Sequence, residues 1–125
     1  MSAHPVKILY LENHAVFARL VMRRFLSDHL ITVVPTIAEA REIMAAPDFD
    51  SRFELVLSDY DLDDGKGAEF VRECRAAHPV LPIIAVSSHD EGNETLLRAG
   101  ASAVCGKMEF EQIGEIIANL TAPKG

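Results

Sequence analysis

Four carboxylates fall within six positions, at Asp59, Asp61, Asp63 and Asp64, directly after the apolar run Leu55-Val56-Leu57. Packing like charges together costs free energy, so this stretch reads either as a polar turn or as a site with a use for them. A carboxylate at a strand end, flanked by other acids, suits a hard divalent cation. Magnesium fits best where protein ligands are few, because it keeps several waters and accepts phosphate oxygens. A metal-bridged carboxylate can also attack a phosphoryl group and become an aspartyl phosphate. Such transfer depends on positioning and charge neutralisation more than on covalent help. Lys107 is a candidate for a second positive charge on the phosphoryl oxygens, and the Ser87 hydroxyl for a hydrogen bond. Each has an ordinary alternative, as a solvated lysine and a helix-capping serine.

The elements that would position these groups follow from the apolar pattern. Leu55 to Ser58 is a short continuous apolar run, the signature of a strand covered on both faces. Val6 to Leu11 and Ile83 to Val86 read the same way, and Thr32–Val34 and Ala103–Cys105 are briefer strand candidates. Helical spacing of Phe17, Leu20, Val21 and Phe25 predicts a helix from about His14 to Asp28, with Asn13 as its N-cap. Thr36 and Glu39 form a capping-box sequence opening a helix to about Ala46. Pro47 to Phe53 reads as a polar connector. Further helices are expected around Phe70–Cys74, from about Asn93 to Ala99 with Gly100 as C-terminal cap, and along Phe110–Leu120. Five strand–helix repeats with strands this apolar predict an α/β fold: a parallel sheet with helices on both faces. In such sheets ligands bind beyond the carboxyl ends of the strands. Those ends carry Glu12-Asn13, Asp59, Ser87-Ser88 and Lys107.

Bulk properties narrow the classes. A chain of 125 residues is expected to form one domain across 1–125, with its core at about 6–120. The net charge of −7 disfavours direct binding to nucleic acid or to an anionic membrane. No apolar run approaches a spanning helix and no signal peptide is recognisable, so the expected location is cytoplasmic. Cys74 and Cys105 have no metal-type spacing and read as small core residues.

The chain resembles the receiver domain of two-component response regulators, in the single-domain form found in chemotaxis, from Val6 to about Leu120. Leu55-Val56-Leu57-Ser58-Asp59 looks like the family's third strand with its phospho-acceptor aspartate, and Gly67 falls at the loop glycine. Leu81 to Ser88 is similar to the fourth strand, with Ser87 at the Ser/Thr position. Ala99 to Ala103 followed by Lys107 resembles the fifth strand and its lysine. The resemblance implies a flavodoxin-like (βα)5 fold with strand order 2-1-3-4-5. It implies phosphoryl transfer to Asp59 from a histidine kinase or phosphotransferase, with Ser87 and Lys107 contacting the phosphoryl group. Magnesium would be held by Glu12, Asn13, Asp59 and the backbone carbonyl of Asp61, whose side chain would face solvent. An output protein would read the face made by helix four, strand five and helix five. A monomer or weak dimer is implied, and no enzyme beyond self-phosphorylation from phosphodonors and self-dephosphorylation.

Several positions depart from that pattern. Receivers carry two acids after strand one, and here the pair is Glu12-Asn13. Losing a charge weakens a magnesium site, although the Asn13 amide oxygen remains a ligand and its capping role stands beside it. Asp63 and Met108 stand where the family has prolines, and Val104 replaces an aromatic residue that swings inward on activation. Only 13 positions separate Ser87 from Gly100, which predicts a short fourth helix. Asp61 and His89 lie at positions that tune phosphoryl lifetime in the family, while His14 and Lys66 read as solvated or helix-start residues. The competing reading is a pseudo-receiver, a protein-binding module independent of phosphorylation. A flavodoxin-type carrier is disfavoured because Glu12-Asn13-His14 has the wrong charge for a flavin phosphate. A phosphohydrolase would place its nucleophilic aspartate where Glu12 stands.

Overall fold

In the computed structural model, which describes residues 5–122, every residue of the run Leu55 to Ser58 is buried, and the sheet is assembled around it. The strands are β1 (Lys7–Leu11), β2 (Leu30–Val34), β3 (Leu55–Ser58), β4 (Ile83–Ala85) and β5 (Ala103–Val104). They pair in parallel in the order β2-β1-β3-β4-β5, as expected. The helices between and after them are α1 (Ala15–Phe25), α2 (Ile37–Ala45), α3 (Gly67–Ala77), α4 (Asp90–Ala99) and α5 (Ile113–Thr121).

Strand side chains alternate between faces, and the two halves of the core obey that rule. Leu9, Leu11 and Val56 face α2, α3 and α4, meeting Ile37, Phe70, Cys74 and Leu96. Ile8, Tyr10, Leu55 and Leu57 face α1 and α5, meeting Val21, Phe110, Ile113 and Ile117. Burying each such side chain stabilises by about 1.5–3 kcal/mol. Against that background, two acids can be held at the strand ends without unfolding the domain. Both cysteines are free and buried, and burial pushes each thiol up to about 11.

Several boundaries differ from the sequence reading. Pro47 to Phe53 is not merely a polar connector: Phe49–Arg52 forms one helical turn, and Phe49 and Phe53 are buried, their rings 5.6 Å apart. Two aromatics four residues apart gave too short a pattern for periodicity to register. Helix α4 starts at Asp90, three residues before the expected Asn93, because Asp90 and Glu91 suit a helix N-terminus despite their polarity. Gly100, at φ 128°, closes it as expected. The segment leading to α5 is a 3-10 helix over Lys107–Gln112, and Glu109 departs from helical geometry within it. Among the acidic-loop residues, Asp61–Leu62 and Gly65–Lys66 pair as a minimal antiparallel hairpin.

Candidate functional site

Register decides which acids meet. Leu11 of β1 pairs with Ser58 of β3, and the Asp59 N–H donates to the Leu11 carbonyl at 3.0 Å. The next residues, Glu12 and Asp59, therefore emerge side by side on the α1/α5 face of the sheet. Glu12 is 2% exposed and Asp59 7%. Lys107, just beyond β5, spans both: its Nζ lies 2.9 Å from Glu12 Oε1 and 2.9 Å from Asp59 Oδ2. The same ammonium sits 4.7 Å from the centroid of the Phe17 ring on α1, a cation–π contact. Around this triad, the Tyr10 hydroxyl donates to Glu12 Oε1 at 3.3 Å and the His14 N–H to Glu12 Oε2 at 3.0 Å. The Tyr60 N–H donates to Asp59 Oδ1 at 2.7 Å.

Burial and pairing set the protonation states. Burial raises the Glu12 pKa above its ordinary value, and the bond from Lys107 only partly offsets this. Burial pulls Lys107 down, but its bonds to Glu12 and Asp59 outweigh that and leave its pKa raised. The lysine is thus a fixed cation. Tyr10 is raised by burial and by the Glu12 charge, so its hydroxyl stays a donor.

The loop after β3 is shaped by one close approach. A Cβ on Gly67 would lie 2.0 Å from the Asp59 carbonyl oxygen, a distance no side chain tolerates. Its N–H donates to the Tyr60 carbonyl at 2.5 Å. The four loop acids then have separate surroundings. The Asp61 carboxylate is exposed and pairs with Lys66. Asp63 accepts from Asn13 Nδ2 at 3.2 Å. Asp64 accepts from the N–H groups of Ile37 and Ala38 at 2.7 and 3.0 Å, and these bonds lower its pKa. It caps α2 from outside, beside the expected Thr36–Glu39 capping box. Asp64 is therefore more than a loop acid, a role its sequence position could not reveal because its partners lie 26 and 27 residues away.

Asn13 does not cap α1. The N-cap is His14, whose Nδ1 accepts from the Phe17 N–H at 3.2 Å, in keeping with a helix-start role for that histidine. The physical reason is tertiary: Glu12, held in place by Lys107, takes the His14 N–H, and the helix begins one residue further on. Asn13 is left exposed at the groove mouth, bound to Asp63.

Ser87 is buried beyond β4, and its Oγ accepts from the His89 N–H at 3.2 Å rather than bonding to the triad. Its main chain is bound twice by the Asn93 side chain, with Ser87 N–H to Oδ1 at 2.9 Å and Nδ2 to Ser87 O at 3.0 Å. The Lys107 N–H also donates to the Ser87 carbonyl, at 3.3 Å. Sequence reasoning missed Tyr10, Phe17, Tyr60 and Asn93. Asn93 left a signal, since it shares the buried stripe of α4 with Leu96.

The oxygen donors suit a hard cation in kind. Asp59 retains acceptor capacity beyond its bonds to Lys107 and Tyr60. Both Glu12 oxygens are already engaged, by Lys107, Tyr10 and His14, so Glu12 reaches a cation only by giving up one of these donors. Asn13 uses its amide nitrogen, not its oxygen, toward Asp63. Their number is small: among the described residues no three His, Cys, Asp or Glu side chains gather in a metal-binding cluster.

A parallel five-stranded sheet in this order, with a buried acid pair and lysine at its carboxyl rim, defines a flavodoxin-like domain of receiver type. The response regulator receiver domain family model matches residues 8–118, and the chain belongs to that family, whose members are signalling domains of two-component systems. Solved structures agree in fold. The Mn(2+)-bound form of response regulator Rcp1 is 17% identical, with 96% of this chain and 98% of that one covered and a TM-score of 0.73. The BeF3-activated DrrB receiver domain is 18% identical, with 95% and 99% covered and a TM-score of 0.78. A CheY-like receiver domain protein from Methanospirillum hungatei is 20% identical, with 93% and 94% covered and a TM-score of 0.74. At these identities the likeness concerns the fold alone. No curated protein sequence matches the chain. Among the described residues no helix is long and apolar enough to cross a membrane.

Proposed function

We propose that Asp59 accepts a phosphoryl group from the phosphohistidine of a histidine kinase or phosphotransferase. The observation that carries this reading is the Lys107 ammonium held 2.9 Å from Asp59 Oδ2, with the other carboxylate oxygen aligned by the Tyr60 N–H. As an Asp59 oxygen bonds to phosphorus, the donor's N–P bond breaks and the imidazole nitrogen takes a proton. Lys107 stays charged and follows the new phosphoryl oxygens, and the Ser87 hydroxyl donates to one of them. Glu12, Asp59, the Asn13 amide oxygen and the Asp61 backbone carbonyl are the groups assigned to hold magnesium, which supplies charge neutralisation when bound. With Asn13 neutral, that site is weaker than one with three carboxylates. The domain then signals through contacts of the α4, β5 and α5 face with an output protein, and Leu97 of α4 offers a partly exposed apolar side chain there.

A second reading, a binding module that works without phosphorylation, is favoured by one observation: Asn13 is engaged with Asp63 instead of presenting a charge. Incubation with magnesium and acetyl phosphate, followed by intact-mass measurement, tests the first reading. One phosphoryl group is expected on the wild-type chain and none on Asp59→Asn. Absence of the adduct with both acetyl phosphate and phosphohistidine donors would leave the second.

A further inference from the structure

Two residues past the end of β4, Ser87 carries an N–H and a C=O into the buried interior with no neighbouring strand to satisfy the N–H. Unpaired buried backbone groups cost about 1–3 kcal/mol each. Asn93, itself 6% exposed, satisfies both with its amide, at 2.9 and 3.0 Å. Its own N–H donates to the His89 carbonyl within α4, so the amide is anchored to the first turn of that helix. The contact is close on all sides. A Cβ on the adjacent Gly92 would come within 2.8 Å of Ser87 Oγ and 3.0 Å of Tyr60 Cβ. The first turn of α4 thus rests on Ser87 and on Tyr60, whose N–H binds Asp59. The Ser87 carbonyl that accepts from Asn93 also accepts from the Lys107 N–H, so one oxygen joins α4 to the lysine loop.

We infer that Asn93 is a positioning residue that makes the Ser87 peptide and the start of α4 one mechanical unit. This rests on the proposed phosphorylation of Asp59. When the Ser87 hydroxyl turns to a phosphoryl oxygen, its main chain moves, and the two amide bonds oblige the first turn of α4 to follow. A single hydrogen bond would swivel; two opposed ones, to N–H and C=O of the same residue, transmit displacement.

The test is amide NMR of the full chain, with magnesium and beryllofluoride as the phosphoryl substitute, on wild type, Asn93→Ala and Leu96→Ala. Leu96→Ala loosens α4 by cavity formation while leaving both Ser87–Asn93 hydrogen-bond partners in place, and so controls for destabilisation. In wild type, shift changes are expected at Tyr60, Ser87 and Lys107 and onward at Leu97 and Arg98. In Asn93→Ala the first group should persist while the changes at Leu97 and Arg98 fall below half. Full retention of the α4 changes in Asn93→Ala, or an equal loss in Leu96→Ala, overturns the inference. If Asn93→Ala does not fold, hydrogen exchange of wild-type protein serves. The Ser87 N–H should be as protected as the core amides of β4, and exchange at the rate of an open loop overturns it. Shifts at Ser87 and Lys107 without any at α4 in wild type defeat this inference alone. No wild-type shift at Tyr60, Ser87 or Lys107 defeats the phosphorylation reading and this inference with it.

Discussion

Deep in the groove, Glu12 and Asp59 are buried side by side and share one ammonium, whereas at its mouth Asn13 and Asp63 meet in solvent through one amide hydrogen bond. Both contacts join β1 to the loop after β3, yet they are built on different physics. The inner one removes charge from water, so its members depend on each other: without the lysine, two like charges would be left buried and uncompensated. The outer one trades water bonds for a protein bond of similar strength and contributes little. Burial, then, sets the cost of breaking each contact.

Breaking the inner contact should produce the largest effect. Lys107→Met is expected to lower stability at neutral pH by about 3 kcal/mol, the scale for stripping one partner from a buried ion pair. Urea unfolding measures it, and part of the loss should return on acidification as the stranded carboxylates take up protons. A change no larger than that of an exposed lysine would mean water already screens the pair.

The pH dependence of the wild type should be smaller and of definite sign. Glu12 has a raised pKa in the folded state, from burial, so the native protein binds more protons than the unfolded chain above the ordinary value of 4.5. In the absence of divalent cations, stability should therefore fall as pH rises from 4.5 through the native pKa of Glu12. Glu12→Gln should flatten that slope in thermal midpoints taken across the window. Asp64 acts in the opposite sense and elsewhere. Its lowered pKa gives stability that is present above 3.8 and lost as pH falls through its native value. Lys107 is raised, so its contribution holds up to 10.5 and disappears only as pH passes its native pKa.

The outer contact should respond least in stability and most in metal binding. Asn13→Asp puts a second carboxylate beside Asp63, and the expected destabilisation is under about 1 kcal/mol because both groups are exposed. Magnesium affinity by calorimetry should rise several-fold with the added charge. A large stability loss with unchanged magnesium affinity would place position 13 outside the metal site.

Much of the fold was legible because its signals are local. The buried run Leu55–Ser58, the Thr36–Glu39 capping box, the Gly100 cap and the spacing of the α5 residues are each read within a few positions, and each holds. What failed depended on distant partners. Asn13 is the better cap by residue type, yet the cap is His14, because Glu12, held by Lys107 from the other end of the chain, takes the His14 N–H. Asp63 and Asp64 look alike in the loop. One faces Asn13, and the other satisfies the first turn of α2. Asn93 looked like the start of a helix, whereas it sits inside one, its amide turned back onto Ser87.

The sequence by itself determined that five apolar strands alternate with helices, that an acid-rich loop follows the central one, and that the family is the receiver domain. Those follow from periodicity, capping and motif, all encoded in neighbouring residues. Tertiary structure decided how the charged and polar groups are shared. The parallel register of β1 with β3 makes Glu12 and Asp59 neighbours, the reach of Lys107 joins them, and packing of α4 fastens Asn93 to Ser87. Charges become partners only where the folded chain brings them within a few ångströms and takes the water away.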